Sequence, residues 1–182
     1  MLVDTLALPQ PDPVLDRPPA ASKVASKAVL GAEPLDRYAN PFHRGEWKMS
    51  RTGRCYCGEI QYESAGDPVM QAQCHCRECQ YLTGGSANVF MAVPEDGLTF
   101  TQGTPKGFTR SDIEGAVTRE FCADCGTHLL TRAPGLPGAV VLKAGTLDDP
   151  SECQPQIAIF TCDQQPFHTI PEGIAAFERF PG

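Results

Sequence analysis

Phe121-Cys122-Ala123-Asp124-Cys125-Gly126-Thr127 is the stretch on which the fold turns. Cys-x-x-Cys followed by Gly is a zinc knuckle: two thiolates on one tight turn, whose backbone N–H groups can also bond the sulfurs. Two ligands cannot fill a tetrahedral site, so a second pair is required. Gly53-Arg54-Cys55-Tyr56-Cys57-Gly58 supplies it, far upstream in the chain. Together Cys55, Cys57, Cys122 and Cys125 make a natural closed Cys₄ zinc site, which would cross-link distant segments and contribute directly to folding. Gly58 and Gly126 are expected at these turns because a Cβ would crowd the metal.

Between the two pairs lies Cys74-His75-Cys76-Arg77-Glu78-Cys79. Three cysteines in six residues suit one metal better than separate cross-links, and three protein ligands plus an open position is the pattern of a catalytic zinc. Cys74, Cys76 and Cys79 are therefore the candidate catalytic ligands. Three alternatives stay open at this level. His75 could be a fourth ligand, a remote Cys or His could close the site, or the cluster could be a redox Cys-x-x-Cys. Cys153 and Cys162 read as ordinary thiols, and His43, His128 and His168 as structural residues.

The chain has 182 residues, nine cysteines and a formal charge of −7 before any thiolate is counted. An odd cysteine count in clusters, behind an amino terminus (Met1-Leu2-Val3-Asp4) without secretory character, favours metal over a disulfide framework. A cytoplasmic location is the corresponding expectation. Phosphate-backbone binding runs on Lys and Arg, so this acidity speaks against nucleic acid. No apolar run reaches the length of a membrane span.

Seventeen Pro and seventeen Gly point to short strands and turns. Strands are expected at 59–63, 69–73, 86–93, 98–101, 117–121, 128–132, 139–143 and 157–161, with helical turns at 77–83 and 173–180. There is no internal repeat and no Gly-rich phosphate loop. Residues 1–50 read as a Pro-rich arm, partly disordered or docked, ahead of a zinc-binding domain over 51–182. Tyr38, Phe42 and Trp47 in that arm are expected to pack on the domain or on a partner subunit, which would make a homo-oligomer.

The ordered motifs G-x-C-x-C-G, C-x-C-x-x-C and F-C-x-x-C-G-T, followed by Gly145-Thr146-Leu147-Asp148-Asp149-Pro150, resemble the glutathione-dependent formaldehyde-activating enzyme and centromere protein V family. The resemblance runs from about Arg51 to Gly182, including Ile170-Pro171-Glu172-Gly173-Ile174 and Phe177. It implies a mainly β, Mss4-like domain. It further implies a structural zinc on Cys55, Cys57, Cys122 and Cys125, and a catalytic zinc on Cys74, Cys76 and Cys79. The implied reaction is addition of glutathione to formaldehyde, or the reverse carbon–sulfur cleavage. The chain departs from the family pattern in two places. Pro155-Gln156-Ile157-Ala158-Ile159 lacks a His common there, and Phe167 stands where a Trp is common.

The chemistry expected is that of a zinc-dependent carbon–sulfur lyase taking small thiol and aldehyde substrates, with glutathione as the co-substrate the resemblance suggests. Thr83, Ser86 and Arg77 lie near enough in sequence to the three cysteines to assist proton transfer. Two other functions fit the same motifs: the same zinc acting on another thiol, imine or carbonyl compound, and a non-catalytic zinc-stabilised interaction module.

Overall fold

The computed structural model describes residues 50–181. The arm expected over 1–50, with Tyr38, Phe42, His43 and Trp47, lies outside the described residues except for Ser50, which opens the first strand.

The domain is mainly β, as expected. A small antiparallel sheet contains β1 (Ser50–Arg54), β2 (Gln61–Ala65) and β5 (Leu98–Gln102), with β2 in the centre. The large sheet has eight strands. They are β3 (Met70–Cys74), β4 (Asn88–Pro94), β6 (Lys106–Thr109), β7 (Thr118–Phe121), β8 (His128–Arg132), β9 (Ala139–Lys143), β10 (Ile157–Ile159) and β11 (Ala175–Ala176). Their order is β11-β10-β3-β4-β9-β8-β7-β6. Only the β11–β10 and β10–β3 pairs are parallel.

Strand pleating gives the large sheet two distinct faces. Met91, Val93, Val140, Leu142 and Leu130 point to one, where they meet Tyr62 from the small sheet and Ile60 just before β2 to form the first core. Each fully buried aliphatic side chain there contributes about 1.5–3 kcal/mol of transfer free energy. Met70, Ala72, Phe90, Ala92, Ile157 and Ile159 point to the other face and form a second core. Central strands apolar on both faces need this two-sided cover.

The helix α1 (Arg77–Leu82) packs on the second face. It starts at Cys76, whose sulfur accepts from the Cys79 N–H, and stops at Thr83, where Gly84 and Gly85 (φ 69° and 101°) turn the chain away. This is the helical turn expected at 77–83. The second expected turn, at 173–180, is not helical. Ala175 and Ala176 instead form β11, because the backbone there pairs with β10 (Ile157 opposite Ala175), and tertiary pairing overrides helix preference. Strands β1 and β6 were not expected. Both are short and largely polar, and their register comes from a neighbouring strand.

Gly53 in β1 is wedged between Tyr62 of β2 and the turn at Thr146. A Cβ there would lie 2.3 Å from the Tyr62 ring and 2.4 Å from the Thr146 carbonyl oxygen. Tyr62 is fully buried and its hydroxyl donates to Thr146 Oγ1 (2.9 Å), which itself donates to the Lys143 carbonyl, so neither neighbour can move away. Gly53→Ala is expected to destabilise the domain by about 3 kcal/mol, the cost of overpacking a fixed site. Chemical denaturation would measure it; a change below about 1 kcal/mol would contradict this account.

Candidate metal centres

The turn after β1 and the turn between β7 and β8 bring the first and third cysteine pairs together. The thiol sulfurs of Cys55, Cys57, Cys122 and Cys125 all lie within 4.8 Å of one another. Cys55–Cys57 and Cys57–Cys122 sulfur separations are 3.5 and 3.7 Å. Four sulfurs at about 2.3 Å from one zinc would stand roughly 3.8 Å apart, so the donor set fits that ion. The turns are held by backbone hydrogen bonds from Gly58 N to Cys55 O (3.0 Å), from Gly126 N to Cys122 O and from Cys122 N to Thr127 O (both 2.9 Å). The Ile60 N–H donates to Cys55 Sγ (3.3 Å). The Thr127 hydroxyl, followed by backbone N–H groups, holds the Cys125 thiol down to about 5. Gly58 and Gly126 matter for a reason other than the crowding expected. Nothing lies within 4 Å of a Cβ at either, but their φ values of 80° and 73° belong to the left-handed region.

The second centre is on the opposite face of the large sheet. Cys74 ends β3, Cys76 caps α1 and Cys79 lies in its first turn, and the three sulfurs cluster within 4.8 Å. Cys74 and Cys79 are buried and Cys76 is half-buried. Hydrogen bonds from the Cys74 and Cys76 thiols, aided by Lys143 and Arg119, pull the Cys79 thiol down to about 3. The same crowding pushes Cys74 well above the usual thiol range. Three thiols so close need a cation to ionise together, and the donor set fits a zinc ion. One side of the cluster opens into a cavity of about 440 Å³ whose walls include Phe90, Val141 and Phe160.

Residues 50–163 match the family model described as glutathione-dependent formaldehyde-activating enzyme, which takes in both cysteine centres and the helix. The chain belongs to the glutathione-dependent formaldehyde-activating enzyme family. No curated protein matches the chain. Among solved structures, the crystal structure of a Rhodobacter sphaeroides protein is similar at 16% identity and a TM-score of 0.46, covering 56% of this chain and 93% of that one.

In this member of the formaldehyde-activating family, His75 stands apart from both sulfur clusters. It is fully buried and its Nδ1 lies 3.0 Å from His168 Nδ1. The Gly85 carbonyl must accept from His168 Nε2 (2.7 Å), so His168 Nδ1 is an acceptor, and His75 Nδ1–H donates to it. The Gln80 amide binds the His75 carbonyl (2.7 Å). These bonds fix the backbone between Cys74 and Cys76. Cys153, half-buried against the first core with its thiol pushed up to about 11 by burial, and Cys162, exposed, join neither cluster.

Of the residues considered near the three thiols, Thr83 is committed: its hydroxyl donates to the Cys79 and Ser86 carbonyls. Arg77 lines the cavity and pairs with Gln80. Sequence reasoning missed Lys143, Asn88 and Arg119, which line the same cavity. Lys143 is 8% exposed; its ammonium donates to Thr131 Oγ1 (3.1 Å), and burial lowers its pKa to about 8 against the pull of the thiols. Arg119 pairs with Glu78 at 2.6 Å. The available signal was a lysine closing the otherwise apolar strand Ala139–Lys143.

His128 begins β8 with a buried Nδ1 that has no hydrogen-bond partner among the described residues. Burial, then the Lys143 and Arg119 cations, hold its pKa below the ordinary 6.5. The unfolded chain therefore takes up this proton first. The stabilising contribution is present above 6.5 and is lost as pH falls from there through the folded value. The melting temperature of His128→Gln is expected to fall less than wild type between pH 7 and about 5.5. Parallel pH profiles would contradict this.

Proposed function

We propose that this chain is a zinc-dependent carbon–sulfur lyase acting on thiol–carbonyl adducts, of the kind the family description names: addition of glutathione to formaldehyde, and its reverse. Cys74, Cys76 and Cys79 would hold the catalytic ion, and Cys55, Cys57, Cys122 and Cys125 a structural one. The single observation that carries the reading is the contrast between the centres. Four thiols complete one tetrahedral donor set, whereas the other offers only three, beside a cavity large enough for a small molecule and walled by Phe90, Val141 and Phe160.

Zinc held by three thiolates would supply a site that lowers the pKa of a substrate thiol. The chain's own residues do the rest. Phe90, Val141 and Phe160 line the cavity with apolar surface and limit water beside the reacting atoms. Arg77 and Arg119 offer cations on its wall to the carboxylates of a peptide thiol such as glutathione. In the reaction the thiolate sulfur attacks the carbonyl carbon. The carbon–sulfur bond forms, the π pair moves to oxygen, and the oxygen takes a proton. Cleavage runs the same steps backward.

The test is zinc content per chain together with zinc-edge absorption spectroscopy, before and after adding glutathione, followed by exchange of labelled formaldehyde by NMR. Two zinc ions per chain, one gaining a sulfur neighbour with thiol, and exchange faster than the spontaneous rate would support the proposal. A single closed zinc, or two sites indifferent to thiol, would overturn it.

A further inference from the structure

The cavity beside the three thiols contains two buried polar side chains with hydrogen-bonding capacity to spare. Lys143 and Asn88 are 8% and 4% exposed, and both line the cavity. The Lys143 ammonium has three N–H donors and gives one, to Thr131. No carboxylate stands within ion-pair distance of it among the described residues, whereas the equally buried Arg51 pairs with Glu152. The Asn88 amide makes no hydrogen bond to any described residue. Both line the cavity wall, so their free donors face its open space, where a bound oxygen can accept from them.

Strand register says where that ligand lies. Asn88 on β4 is directly opposite Cys74 on β3, and Phe90 on β4 is directly opposite Lys143 on β9. Asn88, Phe90, Cys74 and Lys143 therefore share one face of the sheet. Directly opposed side chains begin about 5 Å apart, and the diagonal pair Asn88 and Lys143 about 7–8 Å apart, a gap that a lysine can span. Free donors and thiols thus converge on one space.

Resting on the thiol–carbonyl reading, we propose that Lys143 and Asn88 form the oxyanion site of the reaction, receiving the aldehyde oxygen as the carbon–sulfur bond forms. The π pair displaced by sulfur comes to rest on an oxygen that accepts from the Lys143 ammonium and the Asn88 amide, and the oxygen is then protonated to the adduct hydroxyl. The subsite takes an uncharged aldehyde that becomes anionic only during reaction, leaving the Arg77 and Arg119 cations on the same wall for the thiol's carboxylates. Donors fixed in advance and shielded from water act most strongly where charge develops.

The test compares the zinc-loaded full chain with Lys143→Met, Lys143→Arg and Asn88→Ala, using glutathione and formaldehyde as probes. Lys143→Met is expected to lower kcat/KM for formaldehyde by about 10², and Asn88→Ala by about tenfold, with Lys143→Arg recovering part of the loss. Zinc content and glutathione affinity, measured by calorimetry, should stay within about threefold of wild type. A second readout needs no turnover: reductive methylation with formaldehyde and a borohydride reagent, followed by peptide mass analysis. Lys143 should be methylated along with the exposed Lys106, because the aldehyde reaches it. Asn88→Ala, which removes no charge, carries the kinetic test if Lys143→Met fails to melt cooperatively. Unchanged kcat/KM in a folded variant, zinc or thiol affinity falling in step with turnover, or Lys143 left unlabelled would each overturn the proposal. If wild type itself binds no thiol and exchanges no formaldehyde, the parent reading fails; if wild type is active and the variants match it, only the oxyanion site does.

Discussion

Cys122→Ala is expected to abolish cooperative folding of the domain. Cys122 is completely buried, and its sulfur lies 3.7 Å from that of Cys57, on a different turn of the chain. The four thiols tie the turn after β1, at the small sheet, to the turn between β7 and β8 of the large sheet. The first core, between Tyr62 and Ile60 on one side and Leu130 and Leu142 on the other, is packed beside this junction. Structural zinc contributes roughly 10–16 kcal/mol of apparent binding free energy in small zinc-folded units. A whole domain's net stability is only about 5–15 kcal/mol. Losing a quarter of the proposed ligand set should therefore exceed what the core alone can carry, and treatment with a zinc chelator should do the same. Calorimetry and circular dichroism with zinc analysis would check it. A cooperative melt within about 1 kcal/mol of wild type would show that the site is dispensable for folding.

Cys76→Ser is expected to do the opposite: catalysis lost, fold kept. Cys76 is half-buried at the open centre and also caps α1, its sulfur accepting from the Cys79 N–H at 3.4 Å. Serine is a good N-cap residue, so the helix start survives the change. A hydroxyl is a poor zinc ligand at neutral pH, so the ion proposed for the three-thiol centre would be lost or held weakly. Outer-shell changes at catalytic metals already cost about 10–100-fold, and removal of a ligand should lower turnover by more than about 100-fold. Zinc content should fall by about one ion per chain while the melting temperature moves by only a few degrees. Equal unfolding of Cys76→Ser and Cys122→Ala would refute the division of labour between the centres.

The grouping of the cysteines was legible in the sequence because their spacing is local. Cys55 and Cys57, and Cys122 and Cys125, each sit on one turn, and the left-handed glycines behind them mark those turns. The apolar strands Ala139–Lys143 and His128–Arg132 were equally legible, since β-branched and apolar runs between Gly- and Pro-rich turns admit few other structures. The end of the chain was not. Ala175 and Ala176 carry no strand signal of their own, and their conformation is imposed by β10. The role of His75 was equally hidden, because its partner His168 lies 93 residues away.

By itself the sequence determined a mainly β domain, the grouping of seven cysteines into a closed set of four and an open set of three, and the family. Each depends on residue type and short spacing, which a linear chain displays. The tertiary structure alone decided that the two centres occupy opposite faces of one sheet, and that Lys143, Asn88 and Arg119 meet the three thiols at a single cavity. The physical reason is strand register: which side chains share a face across β3, β4 and β9 depends on hydrogen-bonded pairing between segments far apart in the chain, and a slip of one residue would turn Lys143 to the other side.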